Sequence, residues 1–221
     1  MSGVLQAQLF KALGETLYMI GFSGLLAFLF GIPLGVVLAL TGKGGLSQNL
    51  FFNRVLGAAV NAARSTPFII LMVAIIPLTR AVVGTSIGTS AAIVPLFLAA
   101  VPFMGRVAEG ALREVDGGVI EASVAMGATP LQIVFKVLLP EALPGLVTGV
   151  TLMFINLVGY SAMAGAIGGG GLGGLAIRFG HQRFRPDVML ATVAVLIVLV
   201  QIIQSLGDCA VYFIRKRRGV K

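Results

Sequence analysis

Long apolar runs alternate with short polar, glycine-bearing breaks along this chain of 221 residues. In order, the runs predict membrane-spanning helices over about residues 15–40, 55–77, 89–105, 144–167 and 188–214. These lengths approach or exceed the ~20 apolar residues that carry a helix across a bilayer. The first twelve residues form a weakly amphipathic lead-in. No small-residue cleavage site follows a short apolar core there, so a signal peptide is not expected. Thr41 to Asn53 is a polar loop carrying Lys43, followed by Arg54, and Leu78 to Gly88 is expected to be a short turn. Pro95 and Pro102 predict a bent third helix whose freed carbonyls need donors from neighbours.

The segment from 106 to 143 breaks the apolar pattern and predicts a helical extension followed by a compact elbow. From Arg106 to Asp116 the third helix continues into water, with Glu109 and Arg113 paired at i,i+4 and Val107, Ala111 and Leu112 on an apolar side. Gly117-Gly118 is expected to break it. Val119 to Met126 then forms a short helix with Glu121 in its first turn, where a carboxylate suits the helix dipole. Gly127 supplies the left-handed residue that closes a helix. Thr129 is suited to cap the next helix, Pro130 to open it, and Gln132 to complete a capping box. That helix is expected to run to about Leu138 and to stop at Leu139-Pro140, because a residue before proline is pushed out of helical geometry. Leu131, Val134 and Leu138 share one face, while Gln132 and Lys136 mark the other. A capped elbow between apolar segments suits docking outside the membrane; the plainer alternative is an ordinary amphipathic loop.

Composition narrows the class. With 57% hydrophobic residues, 11% charged residues and a mean hydropathy of +1.02, the apolar runs exceed what one soluble core can hide, so the chain is a polytopic helical membrane protein. Cys209 is the single cysteine and His181 the single histidine. No disulfide framework follows, and no metal centre is expected. A net charge of +8 raises the question of nucleic acid. The basic residues lie in loops and at the terminus, which fits membrane topology instead. Arg215-Lys216-Arg217-Arg218 and Lys221 follow the last span and point to a cytoplasmic C-terminus, and five spans then leave the N-terminus outside. Lys43, Arg54, Arg106, Arg113, Lys136 and the tail fall inside; Lys11, Arg80, Arg178, Arg183 and Arg185 fall outside. The elbow is then cytoplasmic.

Several intramembrane positions are candidates for function. Gly31-x-x-x-Gly35, with Pro33 between, either permits close helix packing or reflects the tolerance of glycine in lipid. Arg64 lies ten residues beyond Arg54, about 15 Å deeper on a continuous helix. It either faces a cavity or snorkels to the interface. On the fourth span Thr148, Asn156 and Tyr160 form a polar stripe continued by Met163 and Ala164, which lines a path or glues helices together. Met163 either plugs a narrow passage or fills a gap. Gly168, Gly170 and Gly173 satisfy GxGxxG, but no strand precedes them and no acid follows at the distance a nucleotide site needs. They are expected to form a flexible or tightly packed outer loop.

Glu121-Ala122-Ser123, then Gly127 after three residues, then Val137-Leu138-Leu139-Pro140 after nine more, resembles the EAA loop of ABC importer permeases. Ser123 stands where the family has Ala, and Val137 where it has Ile. The resemblance implies an all-α integral membrane fold of the type I importer permease kind, with five transmembrane helices, a cytoplasmic coupling-helix elbow, and residues 1–221 as one permease domain. It implies that Glu121, Ala122, Gly127, Ala128, Thr129, Pro130, Ile133 and Pro140 couple to an ATPase subunit. Arg64-Ser65-Thr66-Pro67-Phe68 resembles the Arg-x-x-Pro signature of amino-acid importer permeases. Tyr160-Ser161-Ala162-Met163, with the glycine run beyond it, resembles the methionine importer permeases. The same resemblance implies a homodimer in the bacterial inner membrane lipid, with two ATPase subunits below and a periplasmic binding protein above. ATP and magnesium would belong to the partner, with no cofactor and no catalytic residue in this subunit. The translocation path would include Arg64, Asn156, Tyr160, Ser161 and Met163, and the substrate would be L- or D-methionine, another amino acid or a small organic ion. An ion-driven transporter would need intramembrane acids, and Glu15, Glu141 and Asp208 all fall near span ends.

Overall fold

The computed structural model describes residues 3–217, and every regular element among them is helical. Arg218 and Lys221 of the basic tail lie outside the described residues, as do Met1 and Ser2 of the lead-in. Helix α1 runs unbroken from Gly3 to Thr41. The lead-in is therefore the start of the first helix: Leu5 and Ala12 are buried in a cluster with Leu172, Leu175 and Val188, and Leu9 and Leu13 pack against it.

The second apolar run does not form one helix. It breaks at Thr66-Pro67 into α2 (Leu50–Ser65) and α3 (Phe68–Ala74). Pro67 lacks an N–H and disfavours helical geometry at Thr66, so the break falls where the chemistry demands. The expected turn after it is largely helical: α4 spans Ile76–Val83 and ends at Gly84, whose φ of 83° is left-handed. Helix α5 (Thr89–Arg113) continues through both Pro95 and Pro102. The elbow comprises α6 (Gly117–Ala125), α7 (Pro130–Ile133), a widened π-helical turn over Val134–Leu138, and α8 (Leu139–Glu141). Helix α9 (Leu143–Ala164), the short α10 (Gly171–Leu175) and α11 (Pro186–Arg217) complete the order. Among the described residues four stretches, starting at Leu5, Thr89, Leu143 and Pro186, are long and apolar enough to cross a membrane, and α2 and α3 pass the same test only together, as a broken span or a re-entrant loop.

The helices divide between two compact units. One contains the chain through Ala27, then Thr66–Ala100 and Leu152–Ser205. Its core includes fully buried Met19, Leu96, Leu157, Leu172 and Val188. The glycine run is packed here. Gly170 and Gly171 have φ of 81° and 68°, and this geometry turns the first amides of α10 onto α1. The Gly171 N–H donates to Glu15 Oε2 at 2.7 Å, and the Leu172 N–H donates to Thr16 Oγ1 at 2.9 Å. Glu15 thus lies well inside α1. After α10 the basic segment makes a widened turn over Ala176–His181, and Arg185 pairs with Asp187 at 2.6 Å.

The other unit contains Phe28–Ser65, Val101–Thr151 and the chain from Leu206. Its α1 and α5 segments meet through small residues. A Cβ on Gly31 would stand 2.6 Å from Met104 Cβ, and one on Gly35 would stand 2.5 Å from Ala108 Cβ and 2.7 Å from the Gly105 carbonyl. The two glycines permit close packing rather than merely being tolerated. Asn53 fastens the start of α2 to the end of α1, donating from Nδ2 to the Leu38 carbonyl at 2.8 Å and to Thr41 Oγ1 at 3.0 Å.

Gly35→Val should therefore force α1 and α5 apart, costing about 1–3 kcal/mol and lowering the melting temperature of the detergent-solubilised protein. Gly14→Ala, at a helical position where a Cβ meets nothing within 4 Å, is the control and should melt no lower than the parent. Equal melting of the two variants would refute the packing role.

Candidate coupling elbow and pathway residues

The elbow's corner is made by the backbone. Asp116 caps α6 by accepting the Gly118 N–H at 2.6 Å, so the two glycines begin that helix instead of breaking the chain. At its other end the Ala128 N–H returns to the Ser123 carbonyl at 3.1 Å and the Gly127 N–H to the Val124 carbonyl at 2.9 Å, with Gly127 at φ 80°. This is the glycine-closed helix end expected from the sequence. Both halves of the capping box form: Thr129 Oγ1 accepts the Gln132 N–H, and Gln132 Oε1 accepts the Thr129 N–H at 2.9 Å.

Pro140 does not stop the second helix. The Leu139 N–H reaches back five residues to the Val134 carbonyl, and the widened turn lets the helix pass a residue that has no N–H of its own. The faces also differ from the expected pattern. Ile133 is only 1% exposed and is buried with Val134 and Leu138, whereas Leu131 is 70% exposed. Ile133 is therefore packed within the chain and is not presented outward. Glu121, Ala122, Gly127, Thr129 and Pro130 are exposed, and Ala128 and Pro140 are half-buried. Sequence reasoning missed Met126 and Phe135, which at 80% and 67% exposure join Leu131 as large exposed apolar residues of the elbow. Their signal is a plain one: large apolar residues at a cap and beside a lysine, in a segment that leaves the membrane.

Glu109 is not in water, as its place on the emerging helix suggests. It is buried, held by Arg106 at 2.6 Å and Arg113 at 2.8 Å. Burial of a carboxylate requires such partners.

The pathway candidates separate into two groups. Arg64 is exposed on the last turn of α2, its guanidinium 5.9 Å from the centre of the Phe103 ring. In the other unit, Tyr160 is half-buried and stacks on Phe68, with ring centres 4.7 Å apart and planes 6° from parallel. Asn156 and Met163 are exposed. Ser161 is buried and donates its hydroxyl to the Val158 carbonyl at 2.8 Å, and Ala164 is fully buried, so neither presents a group to a path in this conformation. Thr148 is exposed, its hydroxyl donating to the Pro144 carbonyl at 3.1 Å.

Residues 31–220 match the family of binding-protein-dependent transport system inner membrane components, and the chain belongs to that family. It is a multi-pass membrane permease, and catalysis is not the function of this subunit's family. Among similar proteins is a probable D-methionine transport system permease protein, MetI, of Vibrio cholerae, 58% identical over 92% of this chain and 90% of that protein. The methionine import system permease protein MetP of Bacillus subtilis is 47% identical over 95% of each. A solved structure of the MetNI methionine ABC transporter in an inward-facing conformation matches with a TM-score of 0.95 at 50% identity, covering 97% of this chain and 99% of that one.

A Cβ on Gly127 meets nothing within 4 Å. Gly127→Ala should thus cost only the backbone penalty, roughly 1–2 kcal/mol, and Thr129→Ala about 1 kcal/mol through the lost cap. Hydrogen exchange at the Ala128 and Gln132 amides should quicken in both variants while α5 and α9 keep their protection. Unchanged exchange at the corner would show that these bonds do not hold it.

Proposed function

We propose that this chain is the membrane subunit of an ATP-driven methionine importer, working as a homodimer beneath a binding protein and above two ATPase subunits. The observation that carries this reading is the elbow: a pre-capped corner presenting Met126, Leu131 and Phe135 to the outside. An exposed apolar edge on a rigid corner is what a partner's groove takes up. Likeness to MetI, MetP and MetNI supports methionine, L or D, as the cargo. ATP and its magnesium would bind the ATPase partner. The elbow and basic tail would be cytoplasmic and the N-terminus periplasmic, as the distribution of Lys and Arg suggests.

In this reading, closure of the ATPase pair moves the elbows. Glu121 and Ala122 carry the approach to the corner, Gly127 to Pro130 form it, and the helix through Pro140 leads from it toward α9. The membrane helices then pass between inward-open and outward-open arrangements, a population shift driven by differential contacts in the two states. Arg64, Asn156, Tyr160 and Met163 would line the way, and Ser161 would join them only by releasing its hydroxyl from the Val158 carbonyl. Stacked Phe68 and Tyr160 would act as a movable aromatic wall.

Methionine uptake by a strain lacking its own importer should return when this chain is supplied with its partners. Leu131→Asp together with Phe135→Asp should weaken ATPase copurification about tenfold or more, as loss of buried apolar anchors does, without reducing membrane insertion. Restored uptake of another solute with no methionine uptake would displace the substrate, and full ATPase recovery with both aspartates would displace the elbow.

A further inference from the structure

Glu109 is placed where a carboxylate is costly. Its side chain is 9% exposed, and it receives Arg106 Nη1 on Oε2 at 2.6 Å and Arg113 Nη2 on Oε1 at 2.8 Å. Each arginine also reaches off α5. Arg106 Nη2 donates to the Gly57 carbonyl of α2 at 2.7 Å, and a Cβ on Gly57 would lie 2.9 Å from that same nitrogen. Arg113 lies against Gly42, the residue after α1, where a Cβ would collide with its guanidinium. One carboxylate therefore orients two guanidinium groups that touch three helices or their ends.

Adhesion alone does not call for this arrangement. A buried ion pair seldom stabilises a protein more than apolar residues of the same volume would. Here Arg106 Nε is buried and has no hydrogen-bond partner among the described residues. A guanidinium fork differs from an apolar contact in being directional: it fixes angle and register as well as separation. The cluster's position gives that direction a use. Arg113 is the last residue of α5, and Asp116, three residues on, caps the elbow's first helix. Gly57 lies seven residues before Arg64, whose guanidinium meets Phe103 of α5. Helices α2 and α5 are thus joined twice, once at each of these arginines.

We propose that Arg106 and Glu109 are positioning residues for transport: a strut through which displacement of the elbow moves α5, α2 and the end of α1 as one body. This rests on the importer reading above. Without the strut, the ATPase would still bind the elbow and turn over, but less of that motion would reach α2.

The test uses the complete complex, with ATPase and binding protein, in liposomes. Methionine moved per ATP hydrolysed is measured for Glu109→Gln, Arg106→Lys and Gly57→Ala. The first removes the central charge, the second keeps charge but loses the fork, and the third intrudes on Arg106 from α2 without altering any charge. Each should lower the ratio roughly three- to tenfold while hydrolysis continues, the range expected for residues that carry coupling. Should Glu109→Gln fail to assemble, Gly57→Ala decides the matter. A ratio equal to wild type, with uptake and hydrolysis falling together, would make the cluster merely structural and overturn the proposal. Spin labels at exposed Val55 and Gly110, with Cys209 replaced, give a reading independent of substrate. The α2–α5 distance should stay constant between nucleotide-free and ATP-trapped wild type and should change between states in the variants. If wild type moves no methionine, the substrate reading fails while these distances still judge the strut.

Discussion

In the unit that carries the elbow, the helices can stand as they do because Gly31 and Gly35 let α1 approach the backbone of α5. The absent side chains leave room for Met104, Ala108 and the Gly105 carbonyl. Lipid offers little hydrophobic drive for helices to associate, so close van der Waals contact must do most of the holding. Gly145 continues the theme: a Cβ there would lie 2.9 Å from Ala111 Cβ. α5 is thereby hemmed by small residues from α1 and from the start of α9, and its buried Glu109 finds cations in the space that remains. The charged cluster depends on that close packing and would be untenable in a looser bundle, where lipid would leave the carboxylate without compensation.

Much of this was legible in the chain because it depends on local chemistry. Gly127, Thr129, Pro130 and Gln132 specify the corner through backbone geometry and short-range hydrogen bonds, and the structure builds it from those residues. The alternation of apolar helices with polar breaks followed from apolar length, although α1 begins at Gly3 and α5 continues to Arg113. The features that escaped depend on partners distant in sequence. The burial of Glu109 needs Gly57 and α1 as well as its own helix. The turn of Leu131 outward and Ile133 inward depends on which side of the elbow meets the rest of the unit. The break at Thr66-Pro67 was readable from proline chemistry, yet the uniform apolarity on its far side disguised it as one span. Pro140 misled in the opposite sense: the rule that a residue before proline leaves helical geometry is overridden by a widened turn.

The pathway residues were the least legible. A polar stripe at helical spacing names positions but not their surroundings. Of the positions on or beside it, Asn156 and Met163 are exposed, Tyr160 stacks on an aromatic ring from the broken span, and Ser161 satisfies itself within its own helix. A serine in lipid commonly resolves its hydroxyl this way, by donating to a carbonyl earlier in the same helix. Spacing alone therefore cannot separate residues that face a passage from those that have settled their polarity locally.

The widened turn at Val134–Leu138 places a particular limit on how this segment can change over evolution. A π-helical turn holds one more residue than the α-helical turn it replaces, so the elbow and α9 are joined through a segment whose phase is set by its length. Removing one residue from it would restore regular helix with the two sides still in phase, whereas removing one from the regular helix beside it would rotate one side against the other by about 100°. In the second case Met126, Leu131 and Phe135 would be aimed elsewhere with their chemistry intact. Substitutions along the elbow can be absorbed one at a time, but a change in residue count between the corner and α9 is absorbed only at the widened turn, the slack link of the segment.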